Sequence, residues 1–235
     1  MRILLLIAVV LFVSSLAAPA WAGTEEDCVQ NRDLDRLISG CTAVIRSGQY
    51  SGRRLAIAYN NRGGAYNNLG EYRRAIEDLN QALRLDPGDA VAYNNRGVAY
   101  GNLGDPARAI EDYGQALRSD PGNAAVYNNR AWALYLLGRN TEALGDVDRS
   151  LSLNPGDVRV IDTRAHVLAA LGRRPEALGE FERVMRVGGA DWVRKYQEAL
   201  AKHGHYRGAI DGGAYGPQTR AALAACVDAG CRLLE

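Results

Sequence analysis

The chain repeats itself, and this limits what it can fold into more than any other feature. A shift of 34 residues lays Tyr59-Asn60-Asn61-Arg62-Gly63 onto Tyr93-Asn94-Asn95-Arg96-Gly97, and then onto Tyr127-Asn128-Asn129-Arg130. The same shift aligns Asp86-Pro87-Gly88, Asp120-Pro121-Gly122 and Asn154-Pro155-Gly156, and with them Gly70, Gly104, Gly138 and Gly172. Residues 56–89, 90–123, 124–157 and 158–191 are therefore four units, the last degraded; roughly two dozen of the 34 positions agree between the first two. A period of this length means stacked copies of one supersecondary unit, because a single copy cannot bury its own apolar face. Each unit reads as two helices. In the second, Tyr93, Gly97 and Tyr100 recur at helical spacing, Gly104 interrupts, and Ala109, Tyr113, Ala116 and Leu117 resume an apolar stripe that Pro121 ends. Gly97 and Ala109 are small where the two helices must approach closely, and Tyr93 and Tyr113 fill the space beside them.

The series Tyr93, Gly97, Tyr100, Ala109, Tyr113, Ala116 and Pro121 resembles the signature of the tetratricopeptide repeat (TPR) family. The resemblance implies an all-α, right-handed α-solenoid whose concave face is lined by the first helix of each unit (helix A), and a groove for a protein or peptide. One position departs from the family pattern. Where the family has Leu before the helix-A Gly, this chain has Arg62, Arg96, Arg130 and Arg164. Asp78, Asp112, Asp146 and Glu180 recur at the same period on the second helix (helix B), which predicts one Arg–carboxylate pair per unit. The alternative is that each Arg lays its stem on the core and keeps its head in water.

Carried over from the resemblance, the groove positions include Asn60 and Asn67 in the first unit, Asn94 and Asn102 in the second, Asn128, Trp132 and Tyr135 in the third, and His166 in the fourth. The amide-rich end can pair with the backbone of an extended peptide. Trp132 and Tyr135 offer an anchor for an apolar side chain, unless Trp132 packs against the next unit instead. Some members of the family clamp a C-terminal carboxylate with Lys and Arg. The matching positions here hold Ile57, Asn60 and Ala125, so no clamp is implied.

Both ends differ from the array. Arg2, the apolar run Ile3 to Val13 and the small-residue site Ala20-Trp21-Ala22 read as a signal peptide over 1–22, cleaved before Gly23. The expectation is export, in a bacterium to the periplasm. The run is short of the roughly 20 residues a span needs, so no integral membrane span is expected after cleavage. Residues 23–55 read as N-terminal capping helices, a divergent unit with Leu37, Ile38, Cys41, Val44 and Ile45 forming its stripe. Four cysteines allow three pairings, of which proximity in sequence favours Cys28–Cys41 and Cys226–Cys231. Without a CxxC motif and with three histidines, no metal site is expected.

After Gly188-Gly189 the period of 34 fails. The segment Gly204-x-Tyr206-x-Gly208-x-Ile210-Asp211-Gly212, followed by Tyr215-Gly216-Pro217-Gln218-Thr219, resembles the peptidoglycan-binding-domain-1 family, a small three-helix module. That resemblance makes residues 192–235 a helical module, with peptidoglycan as a second expected partner and Tyr206, Asp211, Tyr215, Thr219 and Arg220 as glycan-binding candidates. Two cysteines stand where the family continues with an aromatic and a Gln. The alternative is that residues 192–203 form the cap helix of the array, with the rest packed upon it.

No phosphate loop, His-Glu-x-x-His or Gly-x-Ser-x-Gly occurs, so neither catalysis nor a cofactor is expected. With 28 basic against 27 acidic residues the chain has no whole-protein attraction for nucleic acid. The sequence thus describes a non-catalytic exported adaptor, tethered to the wall by its C-terminal module; the alternative is a periplasmic scaffold whose C-terminal segment only caps the solenoid.

Overall fold

The computed structural model describes residues 22–30, 32–210, 215–230 and 233, and these form helices, turns and loops without a strand. The elements are α1 (Ala22–Gln30), α2 (Leu34–Arg46), α3 (Gly52–Asn68), α4 (Tyr72–Leu85), α5 (Ala90–Asn102) and α6 (Pro106–Ser119). They continue as α7 (Ala124–Leu136), α8 (Asn140–Leu153), α9 (Val158–Ala170), α10 (Arg174–Lys202) and α11 (Pro217–Ala229). Consecutive helices pair as hairpins, and each hairpin stacks on the next, so the molecule is an all-α solenoid.

The repeated glycines and aspartates have local causes. Gly70, Gly104, Gly138 and Gly172 adopt φ of 76, 80, 73 and 73°, a left-handed conformation that a Cβ would strain. Each ends a helix A and lets the next N–H turn back onto it, as from Asp105 to the Tyr100 carbonyl at 2.9 Å. Asp89, Asn123 and Asp157 accept from backbone N–H groups at the starts of α5, α7 and α9, which is why the Pro-Gly turns end in these residues. Within a hairpin, a Cβ on Gly97 would lie 2.6 Å from the Tyr113 ring, so the small residue permits the close approach of α5 and α6.

The Arg residues are paired. Arg62 with Asp78, Arg96 with Asp112 and Arg130 with Asp146 form two-pronged contacts at 2.7–2.8 Å, and Arg164 reaches Glu180 at 2.5 Å. Three of the four also reach back to the preceding helix B: Arg62 to Thr42, Arg96 to Asn80 and Arg164 to Asp148. The pairing expected from the sequence therefore joins the two helices of a hairpin, and in three units it also joins neighbouring hairpins.

At the N-terminal end, α1 and α2 form an extra hairpin joined by the Cys28–Cys41 disulfide. Replacing both cysteines with Ser should cost about 2–3 kcal/mol through the 13-residue separation that the bridge closes. Denaturant unfolding with and without reductant checks this. The partner expected for Cys226, Cys231, lies outside the described residues, as does the segment 1–21 that carries the signal-peptide pattern. Among the described residues no helix is long and apolar enough to cross a membrane.

At the C-terminal end the period shortens. Helix α10 bends at Gly189 (φ 67°, ψ −158°). Its second half ends at Gly204, φ 76°, with His205 bonded to the Leu200 carbonyl at 2.9 Å, the same turn that Gly172 makes at the end of α9. From Gly172 to Gly204 is 32 residues, so residues 190–202 stand as the helix A of a fifth repeat unit. Among the described residues no helix B follows at the repeated place; residues 205–210 are non-helical, and the next helix, α11, packs on α10. Phe181, Met185, Tyr196, Leu200, Leu223 and Val227 share one core with Ile161 and Leu168 of α9. The C-terminal segment is thus built into the end of the array.

Candidate peptide-binding groove

Helices A neighbour one another from α3 to α9. Their shared face carries a concavity of about 380 Å³ lined by Val98, Asn102, Asn128, Trp132, Leu136 and Asp162, and closed by Trp192 and Lys195 from the second half of α10. Trp132 is half-buried there: one face lines the groove while the ring packs on Tyr135, centroids 5.1 Å apart, and edge-on to His166 at 5.8 Å. The inter-repeat contact expected for Trp132 is thus present, and the same side chain also lines the groove.

The asparagines divide into two roles. Asn95 Nδ2 donates to Asn60 Oδ1 and Asn129 Nδ2 to Asn94 Oδ1, each at 3.0 Å, so adjacent Asn-Asn pairs form a ladder between stacked helices. Asn61 continues it by donating to the Cys28 carbonyl at 3.0 Å. Asn67 Nδ2 is likewise engaged, with the Asn95 carbonyl at 2.7 Å. The ladder stops at Asn128. Where the next unit would supply an Asn donor it has Thr163, whose hydroxyl donates to the Arg159 carbonyl at 3.0 Å. Asn128 Oδ1 consequently has no partner, in the wall of the groove beside Trp132. Asn102 faces the same concavity, with Nδ2 bonded to the Val98 carbonyl at 2.9 Å.

Asp162 occupies the ladder position in the fourth unit. Burial raises its pKa above the usual carboxylate range, against the opposing pulls of His166, the Tyr196 hydroxyl and Lys195. A raised pKa means the folded state holds its proton at a pH where the unfolded state has released it. The fold therefore loses stability as pH rises through that window. Asp162→Asn, which restores the residue of the other units, should raise the melting temperature at neutral pH and give no gain in acid; melts at pH 4 and 7 check this.

Tyr135 and His166 lie behind Trp132, 8% and 4% exposed, and line a second cavity instead of the groove. Of the glycan-binding candidates, Tyr206 and Thr219 are 8% and 2% exposed and face Gln197, which donates to both. Tyr215 donates to Glu182 at 3.1 Å, and Arg220 pairs with the same carboxylate at 2.8 Å. Asp211 lies outside the described residues. The residues so placed hold α11 and its loop against α10. Sequence reasoning missed Trp192 and Lys195 as groove residues; the Gly172 to Gly204 spacing was the signal that could have placed them on a helix A. No three His, Cys, Asp or Glu among the described residues gather to hold a metal ion.

Residues 56–89 and 94–158 match family models described as tetratricopeptide repeat. Among solved structures, a tetratricopeptide repeat protein from Parabacteroides merdae superposes with a TM-score of 0.65 at 19% identity, covering 78% of this chain and 72% of that one. MamA from Desulfovibrio magneticus superposes with a TM-score of 0.63 at 15% identity, covering 72% and 93%. The first TPR of Spaghetti (RPAP3), solved bound to the HSP90 peptide SRMEEVD, superposes with a TM-score of 0.51 at 26% identity, covering 53% of this chain and 99% of that one. No curated protein sequence matches the chain.

Proposed function

Taking the tetratricopeptide repeats at 56–89 and 94–158 as the premise, we propose that the chain is a non-catalytic adaptor holding an extended protein segment in the groove of α5, α7, α9 and the second half of α10. The observation that carries this reading is Asn128 Oδ1, an unpartnered acceptor beside the half-exposed ring of Trp132. A peptide N–H satisfies the amide, and an apolar side chain from the same segment covers the indole. The peptide-bound RPAP3 domain supports use of such a groove for peptides. The positions a carboxylate clamp would need hold Ile57, Asn60 and Ala125, so recognition does not use a clamped C-terminal carboxylate.

The adaptor works outside the cytoplasm. The pattern over residues 1–22 and the Cys28–Cys41 bridge support export, and a mature N-terminus at Gly23 in the periplasmic fraction tests it. The C-terminal segment acts as the cap of the solenoid, since Tyr206 and Thr219 are used internally and Tyr215 and Arg220 are committed to Glu182. Co-sedimentation with purified peptidoglycan separates this from a wall tether: the cap reading expects no pelleting.

For the groove, a displayed library of extended peptides selected against residues 23–235 should yield binders that Trp132→Ala weakens by at least tenfold, the loss of about 1.4 kcal/mol or more expected of an aromatic anchor. Binders indifferent to both Trp132→Ala and Asn128→Ala would overturn the assignment.

A further inference from the structure

The second cavity, on the other side of Trp132 from the groove, has a chemistry of its own. It measures about 220 Å³ and is lined by Tyr135, Asn140, His166, Phe181 and Val227, with Gly138, Ala170 and Gly230 exposed at its rim. His166 is 4% exposed and held between rings, its centroid 5.1 Å from that of Phe181 and 6.2 Å from that of Tyr135. Its Nδ1 lies 2.9 Å from the Asp162 carbonyl oxygen, which can only accept. In the neutral ring the hydrogen therefore sits on Nδ1, and Nε2 is left as a bare acceptor. Nε2 is buried and has no partner. Asn140 Oδ1, on the same cavity, is a second buried acceptor without a partner. Two unsatisfied acceptors on one small cavity are costly unless something donates to them.

The surroundings select the donor. Helices α7, α9 and α11 all end at this cavity, through Tyr135 and Gly138, Ala169 and Ala170, and Gly230, while one helix, α8, begins there at Asn140. Helix C-termini carry partial negative charge, and no Lys or Arg among the lining residues offsets it. The Tyr135 and Phe181 rings are suited to a cation. We infer that this cavity between the third and fourth repeats and α11 binds a small organic ammonium ion, its N–H groups donating to His166 Nε2 and Asn140 Oδ1 and its apolar body lying against Phe181 and Val227. The volume is below the range of drug-sized sites and fits a monoamine about the size of benzylamine. Because α11 supplies one wall, occupancy ties the cap to the repeats, so the ligand stabilises the C-terminal end of the array.

The test is calorimetric titration of residues 23–235 at pH 7 with benzylamine, benzyl alcohol and benzoate, repeated on His166→Phe and Asn140→Leu. The first variant keeps a ring in place and removes the acceptor; the second sits at the partly exposed start of α8 and remains decisive if the first fails to fold. The expected result is saturable one-to-one binding of benzylamine, at least tenfold weaker binding of the alcohol and of benzoate, and at least a tenfold loss in each folded variant. Equal binding of the alcohol overturns the ammonium assignment. Absence of saturable benzylamine binding, or binding unchanged in Asn140→Leu, overturns the site.

Discussion

A chain ending at Gly189 is expected to lose the hairpin of its fourth repeat unit, and not merely an appendage. The segment removed contributes Val193, Tyr196, Leu200, Tyr206, Leu223 and Val227, all at least nine-tenths buried, to the core that holds Ile161, Leu168 and Phe181. At about 1.5–3 kcal/mol for each large apolar side chain taken from water, the shared core is worth on the order of 10 kcal/mol. That is comparable to the whole stability of an ordinary domain. In a solenoid each unit rests on its neighbours alone, so the loss falls first on α9 and the first half of α10, and the hairpins from α1 to α8 persist with a lower melting temperature. Tyr196 adds a specific loss: its hydroxyl donates to the buried Asp162 carboxyl, which truncation leaves without that donor. Hydrogen exchange resolves the outcome by region. Full protection of α9 amides in the truncated chain would show that residues 190–235 are an independent module and refute the cap.

Much of this architecture is legible in the sequence because it is periodic. The helix pairs, the left-handed glycines and the Arg–acid pairs recur at one spacing, and an Arg and an acid that repeat together 16 residues apart, as Arg96 and Asp112 do, fall on facing sides of one hairpin. Two features escaped. The fifth helix A is hidden because the bend at Gly189 resets the register to 32 residues, and because residues 205–210 do not begin the helix B that would have confirmed it. The Tyr206 and Thr219 segment then looks like a separate module, although Gln197 ties both to α10. The roles of the asparagines were also illegible. Asn60, Asn94 and Asn128 look equivalent, yet the first two are occupied by the following repeat's Asn and the third is free because the following repeat has Thr163. The Thr163 substitution is in the sequence, but that the neighbouring Asn donates across the stack is visible only once the helices are placed.

The second large effect is expected from cutting one rung of the Arg ladder. Asp112 is 7% exposed in its side chain, Arg96 20%, and the two share a two-pronged contact at 2.7 and 2.8 Å. Asp112→Ala leaves a guanidinium half-buried beneath the Tyr93 and Tyr100 rings with Asn80 as its remaining polar partner. Removing one partner of a buried pair costs about 3–5 kcal/mol, and the fifth of Arg96 still in water places this rung near 3. Replacing both residues, Arg96→Leu with Asp112→Leu, removes the stranded charge and restores the Leu that the family carries before its helix-A Gly. The double variant should therefore recover most of the loss, as apolar replacement of a buried pair often does. Denaturant unfolding of Arg96→Leu, of Asp112→Leu and of the double closes the cycle, with a coupling expected at about 1–3 kcal/mol. Purely additive losses would mean that Arg96 rests on the core by its stem, its pairing with Asp112 contributing nothing. The rung lies between helices and away from the groove, so a peptide selected on the intact chain should bind the double variant unchanged. Weaker binding at unaltered stability would show instead that the ladder sets the curvature of the groove.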